Sequence, residues 1–257
     1  MKLHHKIKSW AVDYYHMVKG SVLMTIHKEP PKHYLDYVVE GKVPVVLIPG
    51  ILGKWGFMKH LGDKISLAGH PVYIVPRLGY NVYSIPNSAK ILEATVFHLF
   101  PALGHLIPRM HMEEQSNKEI IEKENIKNVV FVAHSKGGLI GKYFLAHFNK
   151  DRKVSGMVSI ATPYSGSAMA RLIPLDPIRE LHIDSKIIHD LESHKEVNHQ
   201  IVSIIPEYDN HVWAEKGSFL DGAENIEVPV HGHHKVLFSP EVCDVVLKSI
   251  EKLSKNN

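Results

Sequence analysis

Short apolar, mostly β-branched blocks recur along the chain: VVLI (45–48), VYIV (72–75), VVFV (129–132), GMVSIA (156–161), IVSII (201–205) and IEVPV (226–230). Runs of this kind mark strands that are buried on both faces. Between them fall helix-length segments at 58–69, 85–99, immediately after Ser135, and at 239–253, the last opening on the helix-start pair Ser239-Pro240. Strands that alternate with helices need crossovers packed back on the sheet. The order therefore predicts a three-layer α/β/α sandwich around a mostly parallel sheet of about six strands.

Ahead of the first strand, Ile7, Trp10, Ala11, Tyr14, Met17, Val18 and Val22 recur at helical spacing, which predicts an amphipathic helix over 6–24, ended by PPKHYL at 30–35. The stripe is expected to dock on the domain. Its Lys-rich flank leaves weak contact with a membrane surface as the alternative. Residues 1–40 thus read as a helical extension of one domain spanning 1–257, with no internal repeat or low-complexity tract.

Composition narrows the classes of function. With 44% hydrophobic and 22% charged residues the chain can fill a core, and a net charge of +3 without basic runs argues against a nucleic-acid partner. The single Cys243 cannot form an intrachain disulfide and suits a reducing compartment. The basic N-terminus is not followed by an uninterrupted apolar stretch, and no segment approaches the ~20 apolar residues of a membrane span. A cytoplasmic location is expected.

The chemistry concentrates at VVFVAHSKGGLIGKYFLAHF (129–148). A serine hydroxyl is a weak nucleophile unless a base lies within hydrogen-bond reach and donors receive the oxyanion. Ser135 falls where such help gathers, at the C-terminal end of a buried strand and before the N-terminus of a helix. The run Ala133-His134-Ser135-Lys136-Gly137 is G-x-S-x-G with alanine in the first place, and small residues there let strand and helix approach around a tight turn.

This segment resembles the nucleophile elbow of the α/β-hydrolase superfamily, in particular bacterial triacylglycerol lipases and esterases. Further motifs agree in order: VPVVLIPGILGKWGFMKHLGDKI (43–65) with the family's strand and oxyanion turn, ATPYSGSAMA (161–170) with its T-P-x-x-G-S segment, SIIPEYDNHVW (203–213) with its acid-bearing turn, and VPVHGHHKVLFSPEVCDVV (228–246) with its Gly-His turn. Pro49 stands where many members carry histidine, which removes a supporting side chain but no backbone donor.

The resemblance implies a serine hydrolase with Ser135 as nucleophile and the backbone N–H groups of Ile51 and Lys136 as oxyanion donors. The acid follows the nucleophile and precedes the histidine in this superfamily. Asp209, just beyond the IVSII block, fits best, with Glu207 as its rival; Asp176, Asp184, Asp190 and Asp221 follow no comparable strand and read as solvated charges. Aligning the Gly-His turn selects His233 as base, with His234 the runner-up. The HGHH run (231–234) also raises zinc, but no second ligand cluster lies at a suitable spacing and H-E-x-x-H is absent, so no metal or other cofactor is expected.

Two insertions bear on substrate. The apolar run 98–112 reads equally as a lid or as a plug of the core, and 166–200 as a cap-like excursion. A small-molecule ester or a lipid is the expected substrate. Acyl transfer on the same residues, and a non-catalytic binding module on the same fold, are the competing readings.

Overall fold

The computed structural model describes residues 3–98, 128–172, 175–214 and 216–255. All six expected strands form: β1 (Val45–Ile48), β2 (Val72–Tyr73), β3 (Val129–His134), β4 (Val154–Ile160), β5 (Ile201–Tyr208) and β6 (Glu224–His231). They make one wholly parallel sheet in the order β2-β1-β3-β4-β5-β6. β2 is shorter than its apolar run because it is an edge strand, paired on one side only and followed by Pro76.

Period-two alternation sends each strand's side chains into two separate cores. Val46, Ile48, Phe131 and Ala133 meet α3 (Ile85–His98), α4 (Lys136–His147) and α5 (Lys186–Ser193) through Leu92, Leu139, Phe144 and Ile188. On the opposite face Val45, Leu47, Val130 and Val132 meet α2 (Lys59–Leu67) and α6 (Pro240–Leu253) through Leu61, Ile65, Val246 and Ile250. The three expected layers are present. Within the 166–200 excursion, α5 drives Ile188 and Leu191 into the first core. Of the apolar run 98–112, only His98, the last residue of α3, lies within the described residues.

The N-terminal helix α1 (Leu3–Ile26) exists, but it docks by a different face from the one its apolar stripe predicts. Ile7, Ala11, Tyr14, Val18 and Val22 are exposed, Ile7 at 62% and Val18 at 56%, and only Trp10 and Met17 of the expected stripe are partly covered. The face against the domain holds Asp13, His16, Gly20, Leu23 and Met24. Two glycines let it come close. A Cβ on Gly20 would sit 2.6 Å from the Phe57 ring, and one on Gly56 would sit 2.7 Å from the Met24 Cα. Asp13 supplies the polar anchor. Trp10 Nε1 donates to the Tyr208 hydroxyl at 2.7 Å, so α1 is fixed to the sheet end beside the acid turn. Close backbone approach and one buried carboxylate thus outweigh the larger side chains, which periodicity alone ranks first.

Substitution separates the two faces of α1. Val18→Lys or Ile7→Lys should leave the melting temperature within about 2 °C of wild type, as surface changes usually stay within ~0.5 kcal/mol. Gly20→Val should lower it by several degrees, because the new side chain meets the Phe57 ring. Thermal denaturation followed by circular dichroism reads both, and a large loss from Val18→Lys would mean the outward face is buried.

Candidate active site

The sheet order reverses at β1, with β2 on one side and β3 on the other. Loops leaving β1 and β3 therefore diverge and open a crevice at their C-terminal ends. Ser135 stands there at φ 54° and ψ −124°, a left-handed conformation that a non-glycine residue adopts only when its surroundings impose it. Its N–H donates to the Ile160 carbonyl at 2.9 Å, and its carbonyl accepts from Gly138 at 3.0 Å. A side chain on Gly137 would strike the Ile48 carbonyl, and one on Gly138 would strike Thr162. The small residues read in the elbow thus let α4 start directly against β1 and β4.

Two turns bring the remaining groups. His233 Nε2 lies 2.9 Å from Ser135 Oγ, and His233 Nδ1 lies 2.8 Å from Asp209 Oδ2. Asp209 Oδ1 accepts the N–H groups of His211 at 2.7 Å and Val212 at 2.9 Å, which closes the acid turn on its own carboxylate. The backbone of His233 is held on both sides: its N–H donates to Asn210 Oδ1 at 3.1 Å, and its carbonyl accepts from His134 Nε2 at 2.9 Å.

The turn after β1 lies against the serine. A Cβ on Gly50 would sit 3.1 Å from both Ser135 Cβ and His134 Nδ1. Asn81 Nδ2 holds the Pro49 carbonyl at 2.7 Å, and Leu52 takes φ 57° so that Gly53 N–H can return to the Gly50 carbonyl. Among the described residues, no backbone hydrogen bond outside the regular elements engages the Ile51 or Lys136 N–H. The Lys136 side chain turns away beneath the 81–83 loop, where Nζ donates to the Tyr83 carbonyl at 2.6 Å.

With this geometry in place, comparison with known proteins is decisive for family. A sequence model of the α/β hydrolase fold matches residues 43–181. The chain belongs to the α/β-hydrolase fold family. No curated protein matches it in sequence. Among solved structures, this α/β hydrolase is similar to the mature lipase BlEst2 of Bacillus licheniformis, with a TM-score of 0.62 and 14% identity over 84% of this chain and 95% of the other. A metagenomic carboxyl esterase gives 0.53 and 16% over 85% and 75%, and a thermophilic esterase of Thermogutta terrifontis gives 0.53 and 12% over 83% and 91%. At such identities the likeness is one of fold.

Of the rival residues in this α/β hydrolase, Glu207 points away to His231 Nε2 at 3.3 Å with its side chain 63% exposed. His234 turns its Nδ1 to Asp13 Oδ2 at 2.9 Å. Asp176 and Asp184 are exposed on the surface. Sequence reasoning missed Asp13, which is wholly buried and accepts the N–H groups of His234 at 2.7 Å and Lys235 at 2.9 Å. It also missed Asn81, Asn210 and His134, which act through backbone groups. The one available signal was an isolated acid on an otherwise basic and apolar helix.

Asp13, His211 and His234 bring polar atoms within 4.8 Å of one another, a cluster that spacing along the chain conceals. Both Asp13 oxygens accept N–H donors from the 234–235 turn, whereas His211 Nε2 lies 3.8 Å from Asp13 Oδ2, beyond hydrogen-bond reach. A cavity of about 590 Å³ is lined by Lys6, Ile7, Trp10, Tyr208, Asp209 and Trp213.

Burial acts on every titratable group here, and charges then sort them. It pulls His233 down, but the Asp209 carboxylate, by charge and hydrogen bond, and the charge of Asp13 raise it above the ordinary imidazole value. Burial pushes Asp209 up, and the His233 imidazole with the His211 and Val212 N–H groups holds it low. Asp13 behaves alike: burial raises it, and His234 with two backbone donors brings it well below the carboxylate range. His134 and His234 are lowered, first by burial and then with His233 contributing, and His211 falls to about 4 for the same reasons.

These shifts predict acid sensitivity. Groups such as His134, His211 and His234 stay neutral in the fold but take up a proton once unfolded below about 6.5, so the unfolded chain binds more protons. Their contribution is complete above that pH and is lost as pH falls toward the His211 value of about 4. His233 has the opposite sign, stabilising below 6.5 and losing its effect as pH rises through its raised value, but it is outnumbered. The melting temperature should fall steadily from pH 6.5 to 4, and His211→Asn should flatten that slope. A profile unchanged by the substitution would contradict the assignment.

Proposed function

We propose that this α/β-hydrolase-fold protein is a serine ester hydrolase acting on a small-molecule or lipid ester through an acyl-enzyme. The observation that supports it is the continuous chain from Ser135 Oγ through His233 to Asp209, at 2.9 and 2.8 Å, on an elbow at positive φ. Ser135 Oγ attacks the ester carbonyl while His233 Nε2 takes its proton, and Asp209 holds the imidazole in the tautomer whose Nε2 can accept. The Ile51 and Lys136 N–H groups receive the tetrahedral oxyanion. Collapse expels the alcohol with the proton from His233, and water, deprotonated by the same imidazole, releases the acid. The scheme draws on no cofactor.

Exposed apolar groups on the flanking turns, Leu52 at 53% and Trp213 at 43%, support a substrate with an apolar acyl or alcohol part. The outward face of α1, with Lys6 and Lys8 beside Ile7 and Val18, supports weak contact with a lipid surface that presents such esters.

The deciding experiment is fluorophosphonate labelling with hydrolysis of p-nitrophenyl esters of rising chain length. Wild type should label at one serine, and Ser135→Ala should lose labelling and at least about three orders of magnitude of turnover while keeping its fold. Labelling that survives in Ser135→Ala would end the proposal. His233→Ala should abolish both readouts, and the reverse pattern with His234→Ala would transfer the role of base. Because His233 must be neutral to accept the proton and its affinity is raised, kcat/KM should fall with acid through a midpoint above 6.5. A flat rate down to pH 5 would contradict a histidine base.

A further inference from the structure

We propose that Asp13 of α1 is a positioning residue of the active site, pinning the turn that presents His233 to Ser135 and setting a second carboxylate beside that imidazole. The inference rests on the reading of Ser135 and His233 as nucleophile and base. It assigns a role in the reaction to an element outside the residues matched by the family's sequence model.

The base turn is wrapped around the Asp13 carboxylate. Oδ1 accepts the N–H groups of His234 at 2.7 Å and Lys235 at 2.9 Å, and Oδ2 accepts His234 Nδ1 at 2.9 Å. Gly232 takes φ 133°, and a Cβ there would lie 2.5 Å from Asp13 Oδ1, so the turn closes on this oxygen too tightly for any side chain. His233 is thus the one residue of 232–235 that turns away from Asp13, toward Ser135. With its own N–H held by Asn210 and its carbonyl by His134, the base has no free backbone torsion. Docking α1 alone would be served by an apolar residue; a fully buried carboxylate filled by three N–H donors serves the turn.

Charge adds to geometry. The groups facing His233 are Asp209 from the β5–β6 connection, Asp13 from α1, His134 from the end of β3, His211 from the acid turn and His234 from its own turn. Near neutral pH the two carboxylates are ionised and the three imidazoles are neutral. The field therefore favours the imidazolium that forms as Ser135 attacks.

The test compares Asp13→Asn, which keeps an acceptor for the backbone N–H groups and removes the charge, with Asp13→Ala, which removes both. In Asp13→Asn the melting temperature should fall less than in Asp13→Ala, the His233 titration followed by NMR should move to lower pH, the acid limb of kcat/KM should follow it, and kcat should fall with KM unchanged. Asp13→Ala should lose melting temperature and up to about a hundredfold in kcat, as the unpinned turn misplaces the base. An Asp13→Asn enzyme with wild-type kcat and an unmoved His233 titration would overturn the proposal. So would an Asp13→Ala enzyme whose folded fraction turns over at the wild-type rate. If wild type neither labels nor hydrolyses esters, the hydrolase reading fails, and the His233 titration in Asp13→Asn still decides the role of Asp13.

Discussion

Strand β3 passes into α4 through a single residue, Ser135, held at φ 54° where the sheet places β3 between β1 and β4. Gly137 packs on the Ile48 carbonyl and Gly138 on Thr162, so the helix begins as near to the sheet as backbone allows. This closeness carries Ser135 above the sheet edge with its N–H still bonded to β4. Loosening any one of these contacts would relax the strained residue and lower the serine away from its partners.

Opposite the elbow, rigidity comes from polar groups. His233, His234, His134 and His211 meet in five ring pairs, tilted or edge-on, with centroids 4.8–6.2 Å apart, a density of imidazole that would be costly if the rings carried charge. Burial lowers the proton affinity of three of them, while the charges of Asp209 and Asp13 raise that of His233. The network thus sets His233 apart from its neighbours by proton affinity. Its neutral members act as fixed donors and acceptors, as His134 does toward the His233 carbonyl, while one member is poised to change state.

How much of this was legible in the chain depended on whether a feature is local. The strands, the crossover helices and the elbow follow from runs of neighbouring residues, and the layers follow from their order. The meeting of Asp209 and His233 with Ser135 was legible because each follows a strand end within a few residues and the family's order of motifs ranks them. Asp13 was not, since nothing near it in sequence shows that a helix will fold back on a turn some 220 positions away. The docking face of α1 was misjudged for a related reason: hydrophobic periodicity weighs side-chain bulk, whereas this interface is made by Gly20, Gly56 and a carboxylate. Asn81 and Asn210 were invisible because they act on backbone groups, which no side-chain pattern records.

The docking of α1 also explains why the outward stripe can remain apolar. A helix that buried its largest side chains would leave Asp13 in solvent and the base turn without its acceptor, so the polar anchor decides the rotation of the helix about its axis. Once that rotation is set, Ile7, Tyr14, Val18 and Val22 can only face outward. The same residue that fixes the base turn therefore determines which surface the protein presents along α1. Near its N-terminal end that surface adjoins the cavity between Ile7, Trp10 and Trp213, which is also lined by Asp209. The closure of the 232–235 turn and the apolar outward face of α1 are in this way two consequences of one buried carboxylate.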